Sequence, residues 1–279
     1  MNENIKKIAV SAARNAGKIL LKEYKDFDRS KIKLKSHHEI VTRADLLSEE
    51  AIIKEIKRNF PAHSILSEEM GLIETRNFTS LRWIIDPLDG TTNFSMHNPL
   101  WCVSIAVAEI KMDVKSGLNL KVNSEKFEKA AEIIIGVVYA PFLDELYVVE
   151  RGKGATVNGH KINVSDISEG KVLNTFCHGK KDSDIKKALD YYRKQKMRGF
   201  DCRQLGSAAI ELAYVAAGRI ESIVIPGANS WDVAAGVLLV NEAGGNVTDF
   251  KGDGWNLGSP DMVASNGKVH AEILKAINK

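Results

Sequence analysis

The sequence predicts a layered α/β protein, and three observations carry that prediction. Segments with helical spacing open the chain, five short β-rich runs fill the stretch from Ser64 to Val149, and strands alternate with helices through the last third.

Ile5, Ile8, Ala9, Ala12, Ala16, Ile19 and Leu20 recur at three- and four-residue spacing with Lys and Arg between them. The chain should therefore open with an amphipathic helix of about 20 residues. The polar DFDRSKIKLKSHHE that follows lacks sustained periodicity and reads as a strand fragment and a loop. Helical spacing resumes from Leu46 to Phe60, and Pro61 ends it. HSILSEE, LRWIID, LWCVSIAVAEI, EIIIGVVYAP and ELYVVERG are each closed by turn or charged residues, as the strands of one substantial sheet would be. Residues 111–132, rich in Lys, Asn and Glu, occupy a place where a short turn would suffice and mark a surface insertion. GKGATVNG has the glycines of a dinucleotide loop but not its setting. Asn158-Gly159 is a hairpin signal, and KINVS follows where a helix would be required.

In the last third TFCHG reads as a strand, 183–196 as a helix, 207–217 as a helix, ESIVIPG as a strand, and Asp232 to Glu242 as a helix. GGNVTDF, DMVAS and VHAEILKAI complete the alternation. The length suits two intimately packed parts, 1–145 and 146–279, forming one functional unit.

Composition removes several function classes. Hydrophobic residues at 44% and charged residues at 27% fit a soluble globular chain. A net charge of +3, from 39 basic and 36 acidic residues dispersed along the sequence, is too small for a phosphate-backbone stripe, so no nucleic-acid partner is expected. The charged start, Glu3 to Lys7, does not resemble a secretory signal. Runs such as IIIGVV fall far short of the roughly 20 residues that span a bilayer. A cytoplasmic protein with no membrane partner is expected. Cys102, Cys177 and Cys202 form no CxxC pair, which leaves them as reduced thiols and not as a disulfide framework or zinc site. His37 and His38 are adjacent and diverge, and neither HExxH nor GxSxG occurs, so covalent hydrolase and zinc-protease chemistries lack their parts.

The chemistry concentrates in RWIIDPLDGTTNF. An apolar strand, Trp83 to Ile85, delivers Asp86 at its mouth, and Pro87 fixes a turn that lets Asp86, the Leu88 carbonyl and Asp89 converge. Three hard oxygens in four residues suit Mg²⁺ better than a soft metal, and the amides of Gly90 and Thr91 suit phosphate oxygens. Asp-Pro and Asp-Gly are also common turn dipeptides; both together after an apolar strand and before TTNF carry more than a turn. Glu68-Glu69 reads either as a second acidic contribution or as an exposed strand end. Asp232 reads either as a ligand or as an N-cap, with Ala234, Ala235 and Gly236 allowing close backbone approach.

VTRAD (41–45), SEE (67–69), DPLDGTTNF (86–94) and WDVAAG (231–236), in this order, resemble the inositol monophosphatase family across nearly the whole chain. The resemblance implies an α-β-α-β-α sandwich of the sugar-phosphatase fold, with a large mixed or antiparallel sheet and a smaller one. It implies a homodimer, two or three Mg²⁺ ions per active site, and hydrolysis of a small phosphorylated metabolite by metal-activated water. By motif position Glu68, Asp86 and the Leu88 carbonyl would hold one Mg²⁺, and Asp86, Asp89 and Asp232 a second. Asp45 and Thr91 would orient and deprotonate the water, with Lys35 and Glu69 close behind. DCRQLGSAAIE resembles the segment lining the sugar side, which assigns Gly206, Ser207 and Ala208 there, although a locally capped helix start reads the same way. Leu88, Asp89, Gly90, Thr91 and Asp232 complete the substrate-contacting set.

Two departures from the family pattern stand out. Ile225 occupies the place, seven residues before Asp232, where inositol enzymes carry a Glu; Glu221 is nearby but out of register. The insertion at 111–132 is the other. Thr91, Thr92, Asn93 and Phe94 favour the inositol monophosphatase branch, including its members that cleave fructose 1,6-bisphosphate. From another class, a regulatory binding protein could keep this fold, but it would not need the full set of carboxylates.

Overall fold

A computed structural model describes residues 2–36, 39–75, 79–110 and 124–278. Helix α1 (Asn2–Lys25) buries the stripe Ile5, Ala9, Ala12, Ala13, Ala16, Leu20 and Tyr24, the face its periodicity predicts. A two-stranded hairpin, β1 (Lys33–Ser36) and β2 (Glu39–Val41), leads to α2 (Arg43–Asn59). This helix begins earlier than Leu46 because Thr42 and Asp45 close a capping box around its first turn, a local signal independent of apolar spacing.

An eight-stranded sheet follows, built from β3 (Ser64–Ser67), β4 (Gly71–Ile73), β5 (Leu81–Asp89), β6 (Cys102–Ile110), β7 (Ala131–Ala140), β8 (Glu145–Glu150), β9 (Ala155–Val157) and β10 (His160–Ile162). Its order is β10-β9-β8-β7-β6-β5-β3-β4, antiparallel except where β3 runs parallel to β5. The short helices α3 (Thr91–Ser95) and α4 (Ser124–Ala130) lie between strands. Much of the expected insertion, 111–123, lies outside the described residues, and its last part forms α4 and the start of β7. Asn158 (φ 50°) and Gly159 (φ 81°) make the expected hairpin turn between β9 and β10. The large sheet thus runs past residue 145, to Ile162, before the chain crosses to the second sheet.

That sheet, of order β12-β11-β13-β15-β14, uses β11 (Leu173–Phe176), β12 (Asp201–Arg203), β13 (Ser222–Pro226), β14 (Asn246–Thr248) and β15 (Asp261–Ser265). It is also mixed, with β11 parallel to β12 and β13 and the remaining pairs antiparallel. Helices α5 (Asp182–Met197), α6 (Ala208–Ala216), α7 (Ser230–Glu242) and α8 (His270–Ile277) complete the chain.

Three cores separate five layers. Side chains of α1 and α2 meet Trp83, Ile85, Val103 and Ile105 on one face of the large sheet. On its other face Ile84, Ala106 and Val138 meet α6 and α7, which also cover Ile223, Ile225 and Met262 of the small sheet. Ala188 and Tyr191 of α5 and Ile273 of α8 close the outer face with Val224 and Val263. The architecture is the predicted α-β-α-β-α sandwich. Between the sheets α7 comes close to β7, where a Cβ on Gly136 would lie 3.0 Å from the Ala235 carbonyl oxygen and press on the α7 backbone. No helix among the described residues is long and apolar enough to cross a membrane.

Candidate functional site

β5 is buried along its whole length between two helical layers, and its last turn of chain carries the acidic motif. Pro87 has no N–H to give to β6, and the pairing slips there. Asp86 opposes Ser104 and Asp89 opposes Cys102, so β5 holds one more residue than its partner. The bulge is fastened by the Leu88 amide, which donates to Asp86 Oδ1 at 3.0 Å. Gly90 then turns the chain into α3 at φ 89°, and a Cβ there would lie 2.8 Å from the Leu100 carbonyl oxygen. Glycine is required on both counts.

Three elements bring carboxylates to this bulge. Glu68 follows β3, its amide donating to the Ile85 carbonyl at 3.2 Å. Asp232 lies in the first turn of α7, whose N-cap is Asn229; Asn229 Nδ2 donates to Asp232 Oδ2 at 3.0 Å. The helix therefore starts at Ser230, and Asp232 is freed from the capping role open to it in the sequence. Glu68, Asp86 and Asp232 each present an oxygen within 4.8 Å of the other two. Across the bulge, Thr91 Oγ1 lies 3.1 Å from Asp45 Oδ1 and 3.0 Å from the Leu88 carbonyl oxygen. The other oxygen of Asp45 accepts from the Thr42 amide at 2.8 Å and the Thr42 hydroxyl at 2.6 Å.

These groups repel one another and are poorly solvated. Burial, then the charges of Glu68, Asp89 and Asp232, hold the Asp86 carboxyl well above the usual carboxylate range. Burial and the charge of Asp89 push Asp232 to about 7, and burial pushes Asp45 to about 6. Asp86 is fully buried, and its Oδ2 meets no hydrogen-bond donor among the described residues. A buried carboxylate oxygen without a donor, facing two other carboxylates, fits a hard divalent cation. The donor set is oxygen only, which suits Mg²⁺ or Mn²⁺ and not a thiolate-seeking metal.

Asp89 ties the end of β5 to the start of α6. Its Oδ2 accepts from Ser207 Oγ at 2.6 Å and from the Ala209 amide at 2.7 Å, beside the Cys102 thiol. Burial raises Asp89, and these donors oppose the rise. Asn93 adds a second tie, with Nδ2 donating to the carbonyls of Leu100 at 2.7 Å and Leu205 at 2.8 Å.

The inositol monophosphatase family profile matches residues 1–118 and 127–279. The chain belongs to the inositol monophosphatase family. Among curated relatives of the family, it is 38% identical over 272 residues to the Nus factor SuhB of Pasteurella multocida, covering 97% of this chain and 94% of the relative. It is 34% identical over 283 residues to an inositol-1-monophosphatase of Mesorhizobium japonicum, covering 98% and 95%. Among solved structures, the extragenic suppressor protein suhB of Bartonella henselae superposes with a TM-score of 0.84 at 30% identity, covering 99% of each chain. The inositol monophosphatase of Anabaena (Nostoc) superposes with a TM-score of 0.80 at 32% identity, covering 100% of this chain and 97% of that one.

Against the family pattern, the structure brings together Glu68, Asp86 and Asp232, and separately Asp45 with Thr91. The charge of Glu69 reaches Asp45. The side chain of Lys35, on β1, lies outside the described residues. Ser207 is the N-cap of α6, as the locally capped reading of that segment has it, and it also donates to Asp89. Ile225 is in the core, 3% exposed, and cannot offer a polar contact. Glu221 does not replace the missing Glu, because Ser165 and the Leu173 amide hold its carboxylate at the start of β13. Sequence reading passed over Ser48, Glu49 and Glu211, and used Asn93 only to choose the family branch. Ser48, Glu49 and Glu211 interrupt otherwise apolar helix faces, and that interruption is the signal that could have found them.

Proposed function

We propose that this chain hydrolyses the phosphate monoester of a polyol or sugar with Mg²⁺, an inositol monophosphate being the first substrate to test. The observation that carries the reading is the meeting of Glu68, Asp86 and Asp232 within 4.8 Å, beside the Asp45–Thr91 pair. One Mg²⁺ would be held by Glu68, Asp86 and the Leu88 carbonyl, and another by Asp86, Asp89 and Asp232. Bound there, Mg²⁺ supplies Lewis acidity to the phosphoryl oxygens and acidifies water.

The chain's own residues do the rest. Thr91 Oγ1, hydrogen-bonded to Asp45 Oδ1, turns its lone pairs toward the attacking water and relays the proton to Asp45. At about 6, the Asp45 carboxyl is ionised at neutral pH yet basic enough to accept that proton. The amides of Gly90 and Thr91 hold phosphate oxygens, and Gly206, Ser207 and Ala208 border the alcohol. With Ile225 in the core, selectivity for inositol loses one acidic contact. Fructose 1,6-bisphosphate is the alternative substrate.

Phosphate release from inositol 1-phosphate, fructose 1,6-bisphosphate and other sugar phosphates, with millimolar Mg²⁺ and with EDTA, tests the reading. No metal-dependent release from any of them would overturn it. Relatives named Nus factor support a second role, that of a regulatory protein keeping the fold. Asp86→Asn would spare such a role and abolish phosphate release. A cytoplasmic homodimer completes the proposal, and light scattering of the purified chain reads its mass.

A further inference from the structure

Asp45, Ser48 and Glu49 stand at positions i, i+3 and i+4 of α2 and so share one face, each 2% exposed or less. Each fastens a different segment of the site. Asp45 takes Thr91, and Ser48 Oγ donates to the Pro87 carbonyl at 2.7 Å, at the bulge itself. Glu49 takes the turn after β3. Its Oε1 accepts from the Ser67 hydroxyl, from the Glu69 amide at 3.2 Å and from the Met70 amide at 3.1 Å. Glu68 lies between the residues so gripped.

A carboxylate on a buried helix face is costly unless donors compensate it. Here the face continues with Ile52 and Ile56, and all three donors come from the one turn that carries Glu68. The Glu68 amide is tied to Ile85 of β5, whereas the Glu69 and Met70 amides on its far side are held by the Glu49 carboxylate.

We propose that Glu49 is a positioning residue of the metal centre, holding the Ser67–Met70 turn so that Glu68 meets Asp86 and Asp232, and thereby setting divalent-cation affinity. The inference rests on the metal-site reading above.

Mn²⁺ binding to the full chain, counted by electron paramagnetic resonance of the free ion, tests it, with melting in EDTA as a control. Glu49→Asp keeps the charge and withdraws the oxygens from the turn; it should weaken Mn²⁺ binding about tenfold or more, as losses of ligand-orienting partners do. Glu49→Gln keeps the reach and one acceptor oxygen, and should stay within about threefold of wild type. Ile52→Val lowers the melting temperature through the same helix and should leave Mn²⁺ affinity unchanged. Wild-type affinity in folded Glu49→Asp, equal weakening in Glu49→Gln, or equal weakening in Ile52→Val would each overturn the inference. Should Glu49→Asp not fold, Ser67→Ala decides from the turn side, and unchanged affinity there overturns it. A wild-type chain that binds no Mn²⁺ would instead overturn the metal-site reading beneath it.

Discussion

Glu49 in α2 and Glu211 in α6 are both buried helix carboxylates, and each gathers two backbone amides and one side-chain donor on a single oxygen. The donors to Glu49 are Ser67, Glu69 and Met70. Those to Glu211 are the amides of Leu205 and Gly206, each at 3.1 Å, and the Cys177 thiol. What differs is the cargo. The first turn carries Glu68 toward the metal site; the second leads into Ser207, which donates to Asp89. Short turns present the reactive groups, and helices anchor those turns from inside the protein. The proposed metal side and the proposed alcohol side thus have separate anchors, so it should be possible to perturb one side without the other.

Asp89 is where the two regions meet, and Asp89→Asn should produce the largest effect. The amide oxygen can still accept from Ser207 and Ala209, so melting in EDTA should hold or rise as a buried charge is removed. Phosphate release should fall on the order of 10³-fold, the upper range for loss of one preorganised electrostatic contact. A variant within tenfold of wild type would end the assignment of Asp89 to a shared metal. Thr91→Ala should come next, losing about 10²-fold in kcat as the proton path to Asp45 is cut. Its Mn²⁺ affinity should stay unchanged, because the Leu88 carbonyl remains; a parallel loss of Mn²⁺ would make Thr91 a structural support of the bulge instead.

Much of this layout was legible in the sequence. The stripe of α1, the run of β5 and the Asn158-Gly159 turn are local patterns, and local patterns survive into the fold. The acidic residues of 86–89 were visible because chemistry and spacing coincide there. The meeting of Glu68 and Asp232 with Asp86 was not readable from spacing, since it depends on two strands of the large sheet and on α7, far along the chain; motif order supplied it through the family resemblance. The roles of Glu49 and Glu211 escaped because a single acidic residue in a helix reads as a solvated face until its burial is known. The β3–β4 turn that Glu49 grips was hidden for a related reason: GLI is too short to announce a strand.

Proton competition should separate the metal side from its surroundings. In the metal-free chain Asp232 sits at about 7, so it takes up a proton as pH falls toward 6. Metal ligation needs the ionised form. Apparent Mg²⁺ affinity should therefore drop about tenfold between pH 8 and pH 6. Stability of the metal-free chain runs the opposite way. An unfolded Asp ionises near 3.8, so between about 4 and 7 the folded state holds a proton that the unfolded state has lost, and folding becomes less favourable as pH rises through that window. The rise in melting temperature on adding Mg²⁺ should then be larger at pH 8 than at pH 6. An equal rise at both values would show that Asp232 is not a ligand.

The finest division is between the two anchors. Glu211→Asp draws the acceptor back from Leu205 and Gly206 as Glu49→Asp does from the first turn, so the two variants form a matched pair. Loosening the loop before Ser207 should raise KM about fivefold, close to the ~1 kcal/mol that one hydrogen bond contributes net. kcat and Mn²⁺ affinity should hold, because Asp89 keeps the Ala209 amide and Glu68 is held elsewhere. Glu49→Asp should show the complementary pattern, with Mn²⁺ affinity lost and KM at saturating metal unchanged. If both variants move the same constant, the two sides share one mechanical unit, and the tie through Asn93 to Leu205 is the contact that would couple them.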